Sequence, residues 1–211
     1  MADIFRTATA VTLAVLAAFV AAVGLHAEAP RAVFRIYDTA NGDVAKRAAA
    51  IRTAAAIVEA AGIEAEWHDC SRNGADFPCR SVRREGDLIV RIMPTFVPST
   101  EPGPGTISTR LTLDGSELQL GSAAVDPHTR TGVMATIYHD RVQTVAQRAG
   151  LDYNRLLGRA IAHEIGHLVL RTSGHRASGL MRAVWTDEEL AENRPEDWLF
   201  ATPVVPDDIG P

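Results

Sequence analysis

One short segment of the chain concentrates residue types that bind metals and move protons. The segment AHEIGHLVLRTSGHRASGLM, residues 162–181, contains His163, Glu164, His167 and His175. On a helix, His163 and His167 stand at positions i and i+4, so their side chains lie on one face and are close enough to share an ion. Neutral imidazole nitrogens are zinc ligands, and catalytic zinc sites keep three protein ligands and an open position. The segment therefore predicts a Zn²⁺ site.

Glu164 follows the first histidine, and its position indicates a catalytic role. A carboxylate beside the histidine pair reaches a water on the metal, whose pKa zinc lowers to roughly 7, and takes its proton. The pattern H-E-x-x-H is typical of this chemistry. The alternative is a surface helix that carries two histidines by chance. Chance occurrence of the pattern in such a chain is on the order of one per cent.

The residues around this motif predict the helix that positions it. Asp152 is a capping residue, and the predicted helix begins at Tyr153 and runs to about Leu170. An apolar stripe on this helix is expected to face the core: Leu157, Ile161, Ile165 and Leu168. Gly166 costs about 1 kcal/mol of helix stability relative to alanine. It is expected where another part of the chain approaches the helix closely, unless it is incidental.

The segment HEIGHLVLRTSGHRASGLM is similar to the metzincin zinc-protease signature, H-E-x-x-H-x-x-G-x-x-H followed by a methionine turn. The resemblance to matrix-metalloproteinase-type catalytic domains is specific over residues 160–182 and loose over 32–200. It implies a zinc endopeptidase in which His163, His167 and His175 are the metal ligands and Glu164 is the general base. It also implies that Met181 forms a hydrophobic floor beneath the metal.

The segment departs from the family pattern at two positions. The family glycine would fall at Leu170 and the third histidine at Ser173, whereas the histidine here is His175. We expect the helix to continue slightly and Gly174 to provide the turn that brings His175 to the metal. Two glutamates of a later helix are the alternative third ligands: Glu188 and Glu189.

The residues after Met181 predict a short C-terminal lobe. Thr186, followed by Asp187, Glu188 and Glu189, is a capping-box signature that predicts a helix over about 187–194. Trp185 is expected to fill the core, with a wall of the specificity pocket as the alternative. Two further histidines, His128 and His139, are weaker candidates for a second, structural metal site.

The remaining pattern predicts the fold. Strands are expected at 32–38, 63–69, 87–93, 116–126 and from 133, with a helix over 44–62. The segment 116–126 is predicted as an edge or hairpin strand, and 94–105 as irregular because of its prolines and glycines. The predicted fold class is α/β (α+β): a zincin/metzincin-like, mostly parallel twisted sheet with an antiparallel edge strand, packed on the active-site helix.

Length and composition limit the domain organisation and the partners. The chain has 211 residues and a formal net charge of −5, which predicts one domain and gives nucleic-acid binding no electrostatic support. We expect a signal peptide at 1–27, cleaved after Ala27, and a single zinc metalloprotease catalytic domain at 28–211. The protein would then be secreted or periplasmic, without stable membrane association. An uncleaved membrane anchor is the alternative.

Two cysteines agree with export. Cys70 and Cys79 flank a segment with turn-forming residues, and an oxidising compartment would join them in a disulfide. The alternative is a metal or redox pair, although the spacing is too wide for C-x-x-C.

The sequence therefore predicts a secreted zinc endopeptidase that acts on a peptide or protein. Three alternatives stay open: a non-peptidase zinc hydrolase, a catalytically silent zinc-binding protein, and a metal-free secreted adhesion module. The presence of Glu164, which holding zinc does not require, argues against the silent protein.

Overall fold

The structure is a computed structural model, and it describes residues 32–40, 42–71, 77–82, 84, 86–95, 106–113, 116–126, 128–129 and 131–200. The predicted signal peptide at 1–27 lies outside these residues, as does most of the segment 94–105. Within the described part of the chain, no helix combines the length and the apolar character needed to cross a membrane.

A twisted sheet forms the centre of the described molecule. Its strands are β1 (Ala32–Asp38), β2 (Ala65–Asp69), β3 (Asp87–Met93), β4 (Thr106–Leu113), β5 (Ser116–Asp126), β6 (Thr131–Tyr138) and β7 (Val184–Trp185). Their order across the seven-stranded sheet is β2-β1-β3-β6-β5-β4-β7. β5 runs antiparallel to both of its neighbours, and every other pair is parallel. The prediction of a mixed α/β fold with a mostly parallel sheet is confirmed.

The helices lie between these strands and after them. They are α1 (Val44–Ala60), α2 (Phe77–Arg80), α3 (His139–Ala149), α4 (Tyr153–Val169) and α5 (Asp187–Glu192), followed by a 3-10 turn (Pro195–Trp198). Asp152 caps α4 by accepting a hydrogen bond from the Arg155 N–H. Thr186 and Glu189 form the predicted capping box of α5. Both helix starts are therefore specified by residues within three positions of the cap.

For the segment 116–126, the hairpin alternative is confirmed, since β5 pairs antiparallel with β4. The edge alternative, which the predicted fold class included, is wrong. The strand has the predicted bounds, but β4 and β6 pair with its two sides, so it lies inside the sheet. β4 was not predicted, because the prolines and glycines of 94–105 suggested an irregular segment that continued further. The residues Asp114-Gly115 between β4 and β5 are a typical hairpin signal and would have indicated the pairing.

Covalent and ionic links join the helices to the carboxyl ends of the strands. Cys70, just after β2, forms a disulfide with Cys79 in α2, which confirms the predicted pairing. Arg47 of α1 is buried, and its guanidinium bonds Asp38 at the end of β1 and Asp69 at the end of β2, each at 2.9 Å. Buried charges of this kind are tolerated because each is paired and hydrogen-bonded.

α4 is the central helix, and α1 crosses it at Gly158. Every residue of α4 from Leu156 to Val169 is buried, including the predicted apolar stripe. A Cβ at position 158 would lie 2.6 Å from the Ala50 carbonyl oxygen and 2.5 Å from Thr53 Cβ, both in α1. The glycine is therefore required by the close approach of the two helices.

Gly158→Ala should lower the free energy of unfolding by about 1–3 kcal/mol, since the added methyl group meets a backbone carbonyl that cannot move aside. The gain in helix propensity, about 1 kcal/mol, offsets only part of this loss. Urea unfolding of the two proteins measures the difference. Gln147→Ala, at an exposed position of α3, is the control and should stay within about 0.5 kcal/mol of the parent protein. An equally stable or more stable G158A variant would contradict the described helix packing.

Candidate metal centre

The structure brings together the three histidines that the sequence singled out. His163 and His167 lie on α4, and His175 comes from the loop that follows. One ring nitrogen of each histidine can serve as a ligand, and these three nitrogens all lie within 4.8 Å of one another. Histidines at i and i+4 on one helix meet by geometry alone, but the approach of His175 depends on the path of the loop.

The loop that carries His175 turns earlier than predicted. α4 ends at Val169, and Arg171 adopts the left-handed backbone conformation with φ of 49°. The Thr172 N–H then donates to the His167 carbonyl oxygen at 3.2 Å. Gly174 stays outside the left-handed region. The expectations that the helix continues and that Gly174 provides the turn are therefore wrong, because hydrogen bonds back to the helix end already reverse the chain at Arg171.

Hydrogen bonds to backbone carbonyls set the orientation of both helical histidines. His163 Nδ1 donates to the Leu180 carbonyl oxygen at 2.7 Å, and His167 Nδ1 donates to the Thr172 carbonyl oxygen at 3.0 Å. A carbonyl only accepts, so the proton of each neutral ring lies on Nδ1 and the lone pair on Nε2. Supporting bonds of this type orient metal-binding histidines in proteins. Both rings thus direct an unprotonated nitrogen toward the same point.

The separation of these two nitrogens fits a shared ion. His163 Nε2 and His167 Nε2 are 3.1 Å apart. Two nitrogens at 2.0–2.1 Å from one tetrahedral metal are separated by roughly 3.3–3.4 Å. The two helical imidazoles therefore fit one zinc ion in spacing, and the set of three imidazoles fits it in chemistry.

Burial keeps the two helical histidines neutral. His163 and His167 have no exposed surface. Burial is the largest cause that lowers the pKa of His163 well below its usual value, and the charges of His167 and His175 add to it. Burial likewise lowers the pKa of His167 from 6.5 to about 4. At neutral pH these rings are therefore in the form that binds a metal.

Glu164 is also fully buried, and a glycine in β5 makes room for it. A Cβ at Gly121 would lie 2.8 Å from Glu164 Oε1 and 2.9 Å from its Cγ. The carboxylate therefore packs directly against the backbone of β5. Sequence reasoning missed Gly121, although a glycine inside a strand often marks such a close approach.

The segment after His175 forms a packed support under α4. Met181 is buried, and its Sδ would lie only 2.4 Å from a Cβ at Gly166, which explains the glycine in the motif. The Leu180 carbonyl oxygen accepts a second hydrogen bond from Trp185 Nε1 at 3.2 Å. The Trp185 ring is fully buried and stands edge-on to His163, with centroids 5.7 Å apart. Trp185 is therefore a core residue, as predicted, and it also walls the histidine cluster.

The alternative third ligands, Glu188 and Glu189, lie outside the histidine cluster. Glu189 bonds Arg182 and the Thr186 N–H as part of the α5 cap, and Glu188 is exposed. Among the described residues, the one group of three or more metal-type ligands is the histidine cluster. His128 and His139 are therefore not part of a second such group in that portion of the chain.

Comparisons with known proteins found no relative of this chain. No protein family, no curated protein and no solved structure matches the chain.

His175→Ala should weaken zinc binding, because the substitution removes a direct ligand. The loss of a hydrogen-bond partner that only supports a ligand costs roughly 10–100-fold in metal affinity. The loss in H175A should be larger than this. Competition with a chelating dye measures the dissociation constant, and elemental analysis measures the stoichiometry. His128→Ala removes an exposed histidine outside the cluster and should leave both values unchanged. Unchanged affinity and stoichiometry in H175A would show that His175 is not a ligand.

The stability of the metal-free protein should fall as the pH drops below about 6.5. The pKa of His167 is about 4 in the folded state against 6.5 as a model value, so the unfolded state binds more protons between these values. The contribution of neutral His167 to the free energy of unfolding is complete above about pH 7. At about 1.36 kcal/mol per pKa unit, about 3 kcal/mol of this contribution is lost by pH 4.

Urea unfolding in chelator at pH 7.5, 6.5 and 5.5 measures this dependence. The variant His167→Gln should show a flatter dependence, whereas His128→Gln should keep the parent slope. Equal slopes in H167Q and the parent protein would refute the assignment of this effect to His167.

Proposed function

We propose that the chain is a secreted or periplasmic zinc-dependent endopeptidase with a zincin/metzincin-like catalytic domain over residues 28–211. The observation that carries the proposal is the convergence of His163, His167 and His175 on one point, with Glu164 next to the first of them on α4. Three imidazoles with an open position are a known catalytic zinc set. The mostly parallel sheet packed on α4 is compatible with this class.

Each residue of the centre then has a defined task. His163, His167 and His175 hold the ion, and the carbonyls of Leu180 and Thr172 fix the two helical rings. When bound, zinc polarises the scissile carbonyl and lowers the pKa of the attacking water. Glu164 takes the proton of that water and passes it to the leaving amine. The buried surroundings of Glu164 strengthen these electrostatic interactions by excluding bulk water.

A non-peptidase zinc hydrolase is the second candidate, and burial favours it. His163, Glu164 and His167 have no exposed surface, and His175 is only partly exposed. A small ester or amide needs a narrower access to such a centre than an extended peptide does. Both candidates use the same residues and differ in the substrate that reaches them.

Zinc-loaded protein should hydrolyse an unfolded protein substrate, and a chelator should abolish this activity. Glu164→Gln should lower the rate by roughly 10²–10⁴-fold, because the proton acceptor is lost, while zinc stoichiometry stays the same. Glu188→Gln changes an exposed carboxylate and should keep the parent rate.

The outcomes separate the candidates. Hydrolysis of small esters but not of peptides, with the same loss in E164Q, would favour the non-peptidase hydrolase. Zinc binding without hydrolysis of either substrate would leave a silent metal-binding protein, and the absence of zinc binding would overturn all three readings.

A further inference from the structure

Arg159 carries a buried positive charge with which no described carboxylate forms an ion pair. The residue lies on α4, one turn before His163, and is 7% exposed. Its Nη2 donates to Asn193 Oδ1, and its guanidinium stacks on the Trp198 ring, 3.7 Å from the centroid. In the part of the chain that the structure describes, no Asp or Glu forms an ion pair with Arg159.

The other buried arginines of the described chain are paired. Arg35 forms an ion pair with Asp87, and Arg47 forms ion pairs with Asp38 and Asp69. A buried charge is costly unless it is paired and hydrogen-bonded. Arg159 therefore differs from Arg35 and Arg47, because it lacks an ion-pair partner. A bound anion would supply the missing negative charge.

A second arginine lies beside it. Arg155 precedes Arg159 by one helical turn, and like charges at this spacing destabilise a helix when nothing lies between them. Burial and the charge of Arg155 lower the pKa of Arg159 to about 10. The charge of Asp197 acts in the opposite direction, but this carboxylate forms its ion pairs with Arg182 and Arg194.

The two arginines line the same cavity. Its volume is about 210 Å³, and its walls also include Asp152 and Asn193. Asp152 is exposed and is engaged as the helix cap, where its Oδ1 accepts from the Arg155 N–H at 2.7 Å. Asn193 Oδ1 already accepts a hydrogen bond from Arg159. The cavity is smaller than the roughly 300–1,000 Å³ typical of sites for organic ligands.

We propose that this cavity binds a small oxyanion, such as a sulfate, phosphate or carboxylate group, between the guanidinium groups of Arg155 and Arg159. A planar guanidinium matches two oxygens of such an anion with two parallel hydrogen bonds. The Trp198 ring holds the Arg159 guanidinium in place from one side. The site shares no residue with the histidine cluster and does not depend on the proposed hydrolase function.

Sulfate is the first probe, added to the full-length, zinc-loaded protein at 0–50 mM with ionic strength held constant by NaCl. The melting temperature should rise along a saturable curve, since the anion binds only the folded state. Tryptophan fluorescence should change over the same range, because Trp198 stacks on Arg159. General stabilisation by sulfate, which acts by exclusion from the surface, does not saturate in this range. A parallel titration with acetate distinguishes a carboxylate site from one for tetrahedral anions.

Two matched variants decide the proposal. Arg155→Gln, at an exposed position, should raise the apparent dissociation constant roughly tenfold or more, because one charged hydrogen-bonding partner is removed. Arg148→Gln removes an exposed arginine of α3 outside the cavity and should leave the curve unchanged. A parent protein without a saturable response to either anion, or an identical response in R155Q, would overturn the proposal.

Discussion

The complete burial of α4 from Leu156 to its C-terminus is the constraint on which the rest of the structure depends. From Leu156 to Val169 the helix has no exposed face, so every polar side chain on it must find a partner inside the protein. The helix carries Arg159, His163, Glu164 and His167 into this interior. A helix that carried only apolar residues would pack there at no electrostatic cost. The polar groups that it does carry are therefore the ones that packing alone does not explain.

The protein meets this constraint with backbone carbonyls and with glycines. The Leu180 and Thr172 carbonyls accept the Nδ1 protons of His163 and His167. Gly121 gives space to the Glu164 side chain, and Gly166 gives space to Met181. The carbonyls and the glycines act together. A glycine has no side chain, so a neighbouring segment can approach closely enough for its backbone carbonyl to accept a hydrogen bond. The centre is thus set by segments of α4, of β5 and of the chain near Leu180.

The C-terminal lobe links the histidine cluster to the cavity near Arg159. Trp185 stands edge-on to both His163 and Trp198, with centroids 5.7 Å and 5.3 Å away respectively, and Trp198 in turn supports Arg159. Aromatic side chains of this size fix their neighbours because they fill large volumes with few rotatable bonds. The C-terminal lobe is therefore part of the structure that encloses α4. The capping box at Thr186 stabilises the start of α5 within this lobe.

The sequence by itself determined the features that depend on residues close together in the chain. The Asp152 cap, the Thr186 capping box and the pairing of Cys70 with Cys79 were all predicted, as was the shared face of His163 and His167. Each follows from spacing within a helical turn or a short loop, where the geometry of the backbone leaves few choices. The candidate ligand set, including His175, was also predicted, although its third member rested on family resemblance.

Only the tertiary structure decided which distant segments meet. It paired β4 with β7, and it chose Leu180 and Gly121 as neighbours of the histidine cluster. These contacts join residues far apart in the chain, and a carbonyl group, which every residue carries, leaves no mark in the sequence. The residue types specified α1, α4, α5 and most of the strands, whereas the packing of α4 into the interior decided what would surround it.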